Sequence, residues 1–143
     1  MNSCGDCNLC CELLGVVEYE KPANTFCQYC PNGVGGCQNY AGRPKTCREF
    51  ECGWLNSRTP VDFRPDRIHI IVTGEDKKLR VQFLHIDPRY PDAMKSPRGA
   101  FFVRLLRQYG FPDLSVTTGD KWEVISDNPV RAAMIRHELE SRT

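Results

Sequence analysis

Cys4-Gly5-Asp6-Cys7-Asn8-Leu9-Cys10-Cys11 opens the chain and decides how its first third is held together. Nine cysteines fall within the first 52 of 143 residues, and none follows. After the opening run come Cys27-Gln28-Tyr29-Cys30, then Cys37. Cys47 and Cys52 close the series inside Arg43-Pro44-Lys45-Thr46-Cys47-Arg48-Glu49-Phe50-Glu51-Cys52. Two chemistries use thiols at this density: disulfide frameworks in oxidising compartments, and thiolate ligation of zinc or iron in reducing ones.

Met1-Asn2-Ser3-Cys4 carries neither the positive stretch nor the apolar run that directs secretion, so a reducing, cytoplasmic setting is the expectation. An odd number of cysteines leaves one thiol over in a disulfide scaffold. Adjacent Cys10 and Cys11 fit the geometry of a mutual bridge poorly. Metal ligation is therefore expected. A Cys-x2-Cys turn lets two thiolates face one ion, so Cys4/Cys7, Cys7/Cys10 and Cys27/Cys30 are each able to form half of a tetrahedral site, and eight thiolates make two zinc sites. The run Cys4-x2-Cys7-x2-Cys10 also matches the first three ligands of a bacterial-ferredoxin loop. The fourth ligand of that loop is missing because position 14 is Leu14, and a remote thiol, Cys47 or Cys52, would complete the set. The density of the loop favours an iron-sulfur cluster, with zinc the alternative.

The same residues resemble the YkgJ-like CxxCxxCC cysteine-cluster family, described as a zinc- or iron-chelating domain. The resemblance rests on Cys4, Cys7, Cys10 and Cys11, and on the middle cysteines Cys27, Cys30 and Cys37. It rests further on a Tyr-x2-Arg-Pro-x2-Cys-Arg-x-Phe-x-Cys segment, here Tyr40, Arg43, Pro44, Cys47, Arg48, Phe50 and Cys52. It covers Cys4 to about Leu55 and implies that the cysteines bind metal. Residues 60 to 143 carry none of its motifs.

Four thiolates around zinc leave a net negative charge, which a nearby cation offsets while hydrogen-bonding sulfur. Arg48, beside Cys47, and Arg43 are the candidates, weighed against the reading of both as solvated surface residues. Tyr40 and Phe50 read as packing residues. His69 and His85 fall in expected strands and His137 in a helix, with no ligand-like spacing to each other or to a cysteine, so none is expected to bind metal. Phosphate-loop, dinucleotide and nucleophile-elbow motifs are absent, so no catalytic residue is named and enzymatic activity stays open.

The formal net charge is +1, with five Lys/Arg against six Asp/Glu in residues 1–58 and fourteen against twelve beyond. Neither half is a basic arm, so no nucleic-acid partner is expected, and no stretch approaches the length of a membrane span. A single domain is expected over 1–143, with a cysteine-rich metal-binding region at 1–58 and a supporting region at 64–143.

The cysteine-rich region holds seven of the eleven glycines and turn pairs such as Pro31-Asn32-Gly33 and Gly35-Gly36, so it reads as loops. Leu13, Leu14, Val16 and Val17 are expected to cover one side of a metal site, and Phe50, Trp54 and Leu55 another. Beyond residue 64 the pattern changes. Arg67 to Thr73 and Leu79 to Ile86 are strand-like runs around a turn at Gly74 to Lys78. Leu114, Val116 and Thr118 alternate before Gly119-Asp120, then Trp122 and Val124 complete a second hairpin. Between them Ser96 caps a helix that starts at Pro97, repeats Phe102, Leu105, Leu106 and Tyr109, and stops at Gly110. A last helix starts at Asn128-Pro129, with Val130, Ala133, Met134 and His137 on one face. The order ββαββα predicts an α+β fold: a loop-rich cysteine cluster packed on a small antiparallel sheet, with two helices on one side.

Three functions are compatible with this pattern. The first is a protein coordinating an iron-sulfur cluster or zinc, the metal being structural, sensed or carried. The second is an iron-sulfur enzyme or electron carrier acting with a protein partner. The third is a zinc-ribbon-like nucleic-acid binder, which lacks the expected basic and aromatic residues near its cysteines.

Overall fold

A computed structural model describes residues 7–30, 36–50, 52–55, 57 and 59–142. Cys4 and the turn residues Pro31 to Gly35 lie outside the described residues. The elements run α1 (Leu9–Leu13), α2 (Lys45–Glu49), α3 (Pro65–Ile68), β1 (Ile70–Asp76), β2 (Val81–Ile86), α4 (Pro97–Tyr109), β3 (Asp113–Thr118), β4 (Lys121–Ile125) and α5 (Pro129–Glu140). The fold is α+β, with a four-stranded sheet in the order β1-β2-β3-β4.

Both hairpins form and both are antiparallel. The expectation of a wholly antiparallel sheet fails at its centre, where β2 and β3 run parallel with Val81 opposite Asp113 and Ile86 opposite Thr118. The cause is α4, which carries the chain back along the sheet before β3 starts; a helical crossover is the usual way to join parallel neighbours.

The first hairpin differs in detail. Gly74 does not turn the chain but lies in β1, where the register shifts between Val72 and Gly74, and the turn follows Asp76. Asp76 Oδ1 accepts from Leu79 N at 2.8 Å, and Arg80 takes a left-handed φ of 57°. Arg67 is not in a strand either. It belongs to α3, and His69 ends that helix in the left-handed conformation before β1 begins.

α4 forms as its local signals predict. Ser96 Oγ accepts from Gly99 N at 3.0 Å, Pro97 occupies the first turn, and Gly110 ends the helix. Phe102 is buried, and Val103 and Leu106 pack beside it against a core of Ile68, Ile70, Leu84, Ile86, Ala93, Leu114 and Val116. Tyr109, expected in this stripe, is 80% exposed.

Strand alternation puts Asp113, Ser115 and Trp122 on the face opposite Leu114 and Val116. α5 lies on that second face. Its Arg131 Nε donates to Asp113 Oδ2 at 2.6 Å, Arg131 Nη2 donates to Leu79 O at 2.6 Å, and Arg136 sits over the Trp122 ring. The two helices therefore lie on opposite faces, not on one side. The Arg131 ion pair also sets the rotation of α5. Ile135 is turned inward, whereas Val130 is 78% exposed and Ala133, Met134 and His137 face solvent with it.

At the β1 end of this second face, α1 and the segment around Cys52 take over. Ile71 packs with Leu9, Leu13, Cys52 and Trp54, flanked by Cys7, Cys10, Leu14, Phe50 and Leu55. The two apolar groups expected to cover separate sides of a site thus merge into one cluster, except Val16, which is buried outside it, and Val17, which is exposed. No helix among the described residues is long and apolar enough to cross a membrane.

Candidate metal centre

A five-residue helix does not persist alone. α1 is held because Leu9 and Leu13, four residues apart, are both buried on Ile71 and Trp54. That anchoring displays Cys10 and Cys11 on different sides of the helix. Cys11 O accepts from Cys27 N at 3.0 Å, which brings the next cysteine pair alongside. Cys30 N donates to Cys27 O at 2.9 Å, so the Cys-x2-Cys turn is closed as expected.

α2 delivers Cys47 to the same place by a different tether. Thr46 donates from its amide at 3.1 Å and from Oγ1 at 2.9 Å to Glu18 Oε1, a carboxylate at the first turn of the helix. A bond from its own amide, and then these two, hold the Glu18 carboxyl below its ordinary range. Cys52 is placed by the sheet: Gly53 N donates to Val72 O at 3.0 Å, and a Cβ on Gly53 would lie 2.9 Å from Val72 Cβ. Only glycine permits that approach.

Seven of the eight described thiols line one cavity of about 350 Å³. Cys7, Cys10 and Cys11 come from the opening run, Cys27 and Cys37 from the middle, Cys47 and Cys52 from the last segment. Cys30, the eighth, is buried and interacts through its side chain with Cys11, as Cys11 does with Cys10. Cys4 is outside the described residues. Among the described residues no three Cys, His, Asp or Glu side chains are gathered closely enough to hold a single ion. None of the three histidines lines the cavity.

Burial controls the acidity of these thiols. It pushes Cys7 up to about 12 and Cys30 up to about 11, helped in Cys7 by Asp66 and in Cys30 by Cys11. Cys11 is raised above all by its bond to Cys10, and Cys47 by burial and then by Cys11, Cys27 and Cys37. These mutual effects join Cys11, Cys27, Cys30, Cys37 and Cys47 as one electrostatic group. The raised thiols Cys7, Cys11, Cys30 and Cys47 hold their protons at neutral pH.

Arg43 lines the cavity wall, its Nε donating to Tyr40 O at 3.0 Å and its guanidinium stacked 3.7 Å over the Tyr40 ring. Arg48 is exposed on α2 and does not line the cavity. Proximity to Cys47 in sequence is misleading here, because the helix turns neighbouring side chains apart. Phe50 packs beneath the site, as expected of it.

Two other cations occupy positions that the sequence does not advertise. Arg89 follows β2, forms a two-point ion pair with buried Asp87 at 2.9 and 3.2 Å, and reaches Glu12 Oε2 at 2.8 Å. It also lies 5.2 Å over the Phe26 ring. One side chain from the sheet half thus touches residues adjoining Cys11 and Cys27. Burial, then Asp87, raises the Glu12 carboxyl, which Arg89 opposes. Lys21 is buried, its Nζ donating to the carbonyls of Glu12, Leu14 and Pro22. Neither residue belongs to a motif or spacing pattern, so no sequence signal singled them out.

No family model matches the chain, and no curated protein or solved structure shows significant similarity to it.

Proposed function

We propose that this chain binds a soft metal group, an iron-sulfur cluster or zinc, through its cysteine-rich region, in a reducing compartment. The observation that carries this is the convergence of thiols from three separated segments on one cavity. Ordinary packing gives no reason for free thiols to collect there; soft-metal ligation does. All eight described cysteines are free, in keeping with a reducing setting.

The donor set fits the group. It is all sulfur, partly buried, and backed on one side by Leu14, Phe50, Trp54 and Leu55. An iron-sulfur cluster spreads its ligands around a body of several atoms, whereas zinc would draw four sulfurs to about 2.3 Å from its centre. An iron-sulfur cluster supplies one-electron chemistry when bound; zinc supplies a structural cross-link. Cys7, Cys10, Cys11, Cys27, Cys30, Cys37, Cys47 and Cys52 are the described candidates to hold either, with Cys4 the ninth.

Metal analysis and an absorption spectrum of anaerobically purified protein test the proposal, since iron-sulfur clusters absorb visible light and zinc is colourless. Cys10→Ser should lower bound metal sharply, because serine is a poor soft-metal ligand. Full metal occupancy in that variant would remove Cys10 from the ligand set, and metal-free wild-type protein would defeat the proposal.

A further inference from the structure

We propose that the exposed face of α4, with the groove at its start, is a docking site for a segment of a partner protein in which acidic side chains flank apolar ones. This surface stands apart from the thiol centre and does not rest on metal binding.

Charge on α4 is one-sided. The helix carries Arg98, Arg104 and Arg107 and no carboxylate. Arg107 serves the fold, donating to Pro112 O and to Asp127 Oδ1, each at 2.8 Å. Arg98 and Arg104 are exposed, and no carboxylate among the described residues pairs with either. Arg98 also stands in the first turn, where the helix dipole favours an anion and a cation is unfavourable. Local folding gives no reason for an arginine there; an anionic partner does.

Apolar surface lies between the two guanidiniums. Phe101, three residues from each, is 43% exposed, and Arg104 lies 5.7 Å over its ring. At that helical spacing the three side chains form one stripe. The Phe101 ring packs on Phe63 at 5.7 Å, and Val61, in the same short turn as Phe63, is half exposed. Aromatic and arginine side chains together are the composition of protein-interface centres.

The stripe begins at a groove of about 610 Å³ whose wall includes Arg67, His69, Tyr90, Asp92, Ser96 and Arg98. That wall is set in advance. The His69 ring stacks on Tyr90 at 3.5 Å, and the left-handed backbone of His69, at φ 64°, is held as its carbonyl accepts from Asp87 N at 3.0 Å. A preformed wall reduces the ordering that binding costs.

The charges left over select the partner. Arg67 faces Asp62 at 3.9 Å and Lys95 faces Asp92 at 3.5 Å, which leaves Arg98 and Arg104 as the uncompensated pair around the stripe. Six residues of helix set them about 9 Å apart along the axis. Guanidiniums bind carboxylates in two-point pairs, so two carboxylates flanking an apolar residue match the stripe. A nucleic-acid strand, held by a run of phosphate contacts, would find two cations with Asp62 and Asp92 nearby.

Labelled peptides with Glu on both sides of a central Leu-Phe pair are titrated into full-length, anaerobically purified protein, beside peptides with Lys for Glu, peptides with Gly for Leu-Phe, and single-stranded DNA. The Glu peptide with its apolar centre should bind most tightly. Arg98→Glu with Arg104→Glu should weaken it at least about tenfold, because like charges then face each other. Lys77→Glu with Lys78→Glu, the same change of net charge at the exposed β1–β2 turn, should leave it unchanged. If the arginine variant lacks wild-type circular dichroism, Arg98→Gln with Arg104→Gln takes its place and should weaken binding in the same direction. No binding of the Glu peptide overturns the proposal. Equal weakening in the lysine variant overturns it in favour of net charge alone, and equal binding of the Gly peptide removes the apolar stripe from it. Tighter binding of DNA, lost in the arginine variant, would make this face a nucleic-acid surface instead.

Discussion

The cysteine-rich region and the sheet half solve the same problem with different means. Residues 64–142 bury a continuous apolar core under α4, and hydrogen-bonded strands run through it. The described residues between 7 and 57 have two five-residue helices, a few backbone bonds, and an apolar cluster that is completed by borrowing Ile71 from β1. The sheet half has the interactions of an independent core. The other half leans on it, and the thiols that fill the remaining space stabilise little until something binds them. The proposed metal would supply the missing stability, since in small metal-held regions binding free energy is folding free energy.

The comparison breaks most visibly on metal removal. Trypsin cleavage after Lys45 and Arg48, both in α2, should accelerate at least about tenfold in chelator-treated protein, while sites in β1 to β4 stay protected, because opening of the two halves is uncoupled. Equal cleavage with and without chelator would show that packing alone holds α2.

Core truncation attacks the other side. Leu84→Ala, at a fully buried β2 position, should cost about 2–5 kcal/mol in denaturant unfolding. A measured loss under about 1 kcal/mol would mean that the core under α4 carries less of the stability than its burial implies.

Arg89→Met tests the tie between halves. It leaves buried Asp87 without its guanidinium and frees Glu12, at a cost of about 1–3 kcal/mol, near the low end because Arg89 is half exposed. Metal retention should fall with it, since the residues beside Cys11 and Cys27 lose their common anchor. Unchanged retention would show that the thiol loops are positioned without the sheet half.

Acidity separates loaded from stripped protein by the sign of its effect. The buried thiols Cys7 and Cys30 have raised values, so stripped protein keeps their contribution below pH 9 and loses it as pH rises toward about 12. Loaded protein should instead release metal as pH falls, because protons compete for the thiolates. Matching pH profiles for the two forms would contradict thiolate ligation.

The smallest effect is a null. His69, stacked on Tyr90 at 3.5 Å, and His85 and His137 do not line the cavity. Their joint replacement by Gln should leave metal content per folded protein unchanged. Loss of metal with intact circular dichroism would overturn the all-cysteine ligand set.

What the sequence determined by itself was whatever depends on neighbours a few residues apart. Ser96 and Asn128 accept from amides two or three positions on, the Cys27–Cys30 turn closes within itself, and Gly119 takes a φ of 63° in its tight turn. These interactions are local, so residue type and spacing suffice. The concentration of thiols was equally plain, because composition needs no fold to be seen. Tertiary structure alone decided the parallel pairing of β2 with β3, the rotation of α5, and the burial of Lys21 and Arg89. Each depends on a distant partner: Arg131 is aimed by Leu79, fifty-two residues earlier, and Arg89 reaches Glu12 across seventy-seven. A charged side chain in sequence looks the same whether water or a protein interior surrounds it, and only the packed chain supplies the difference.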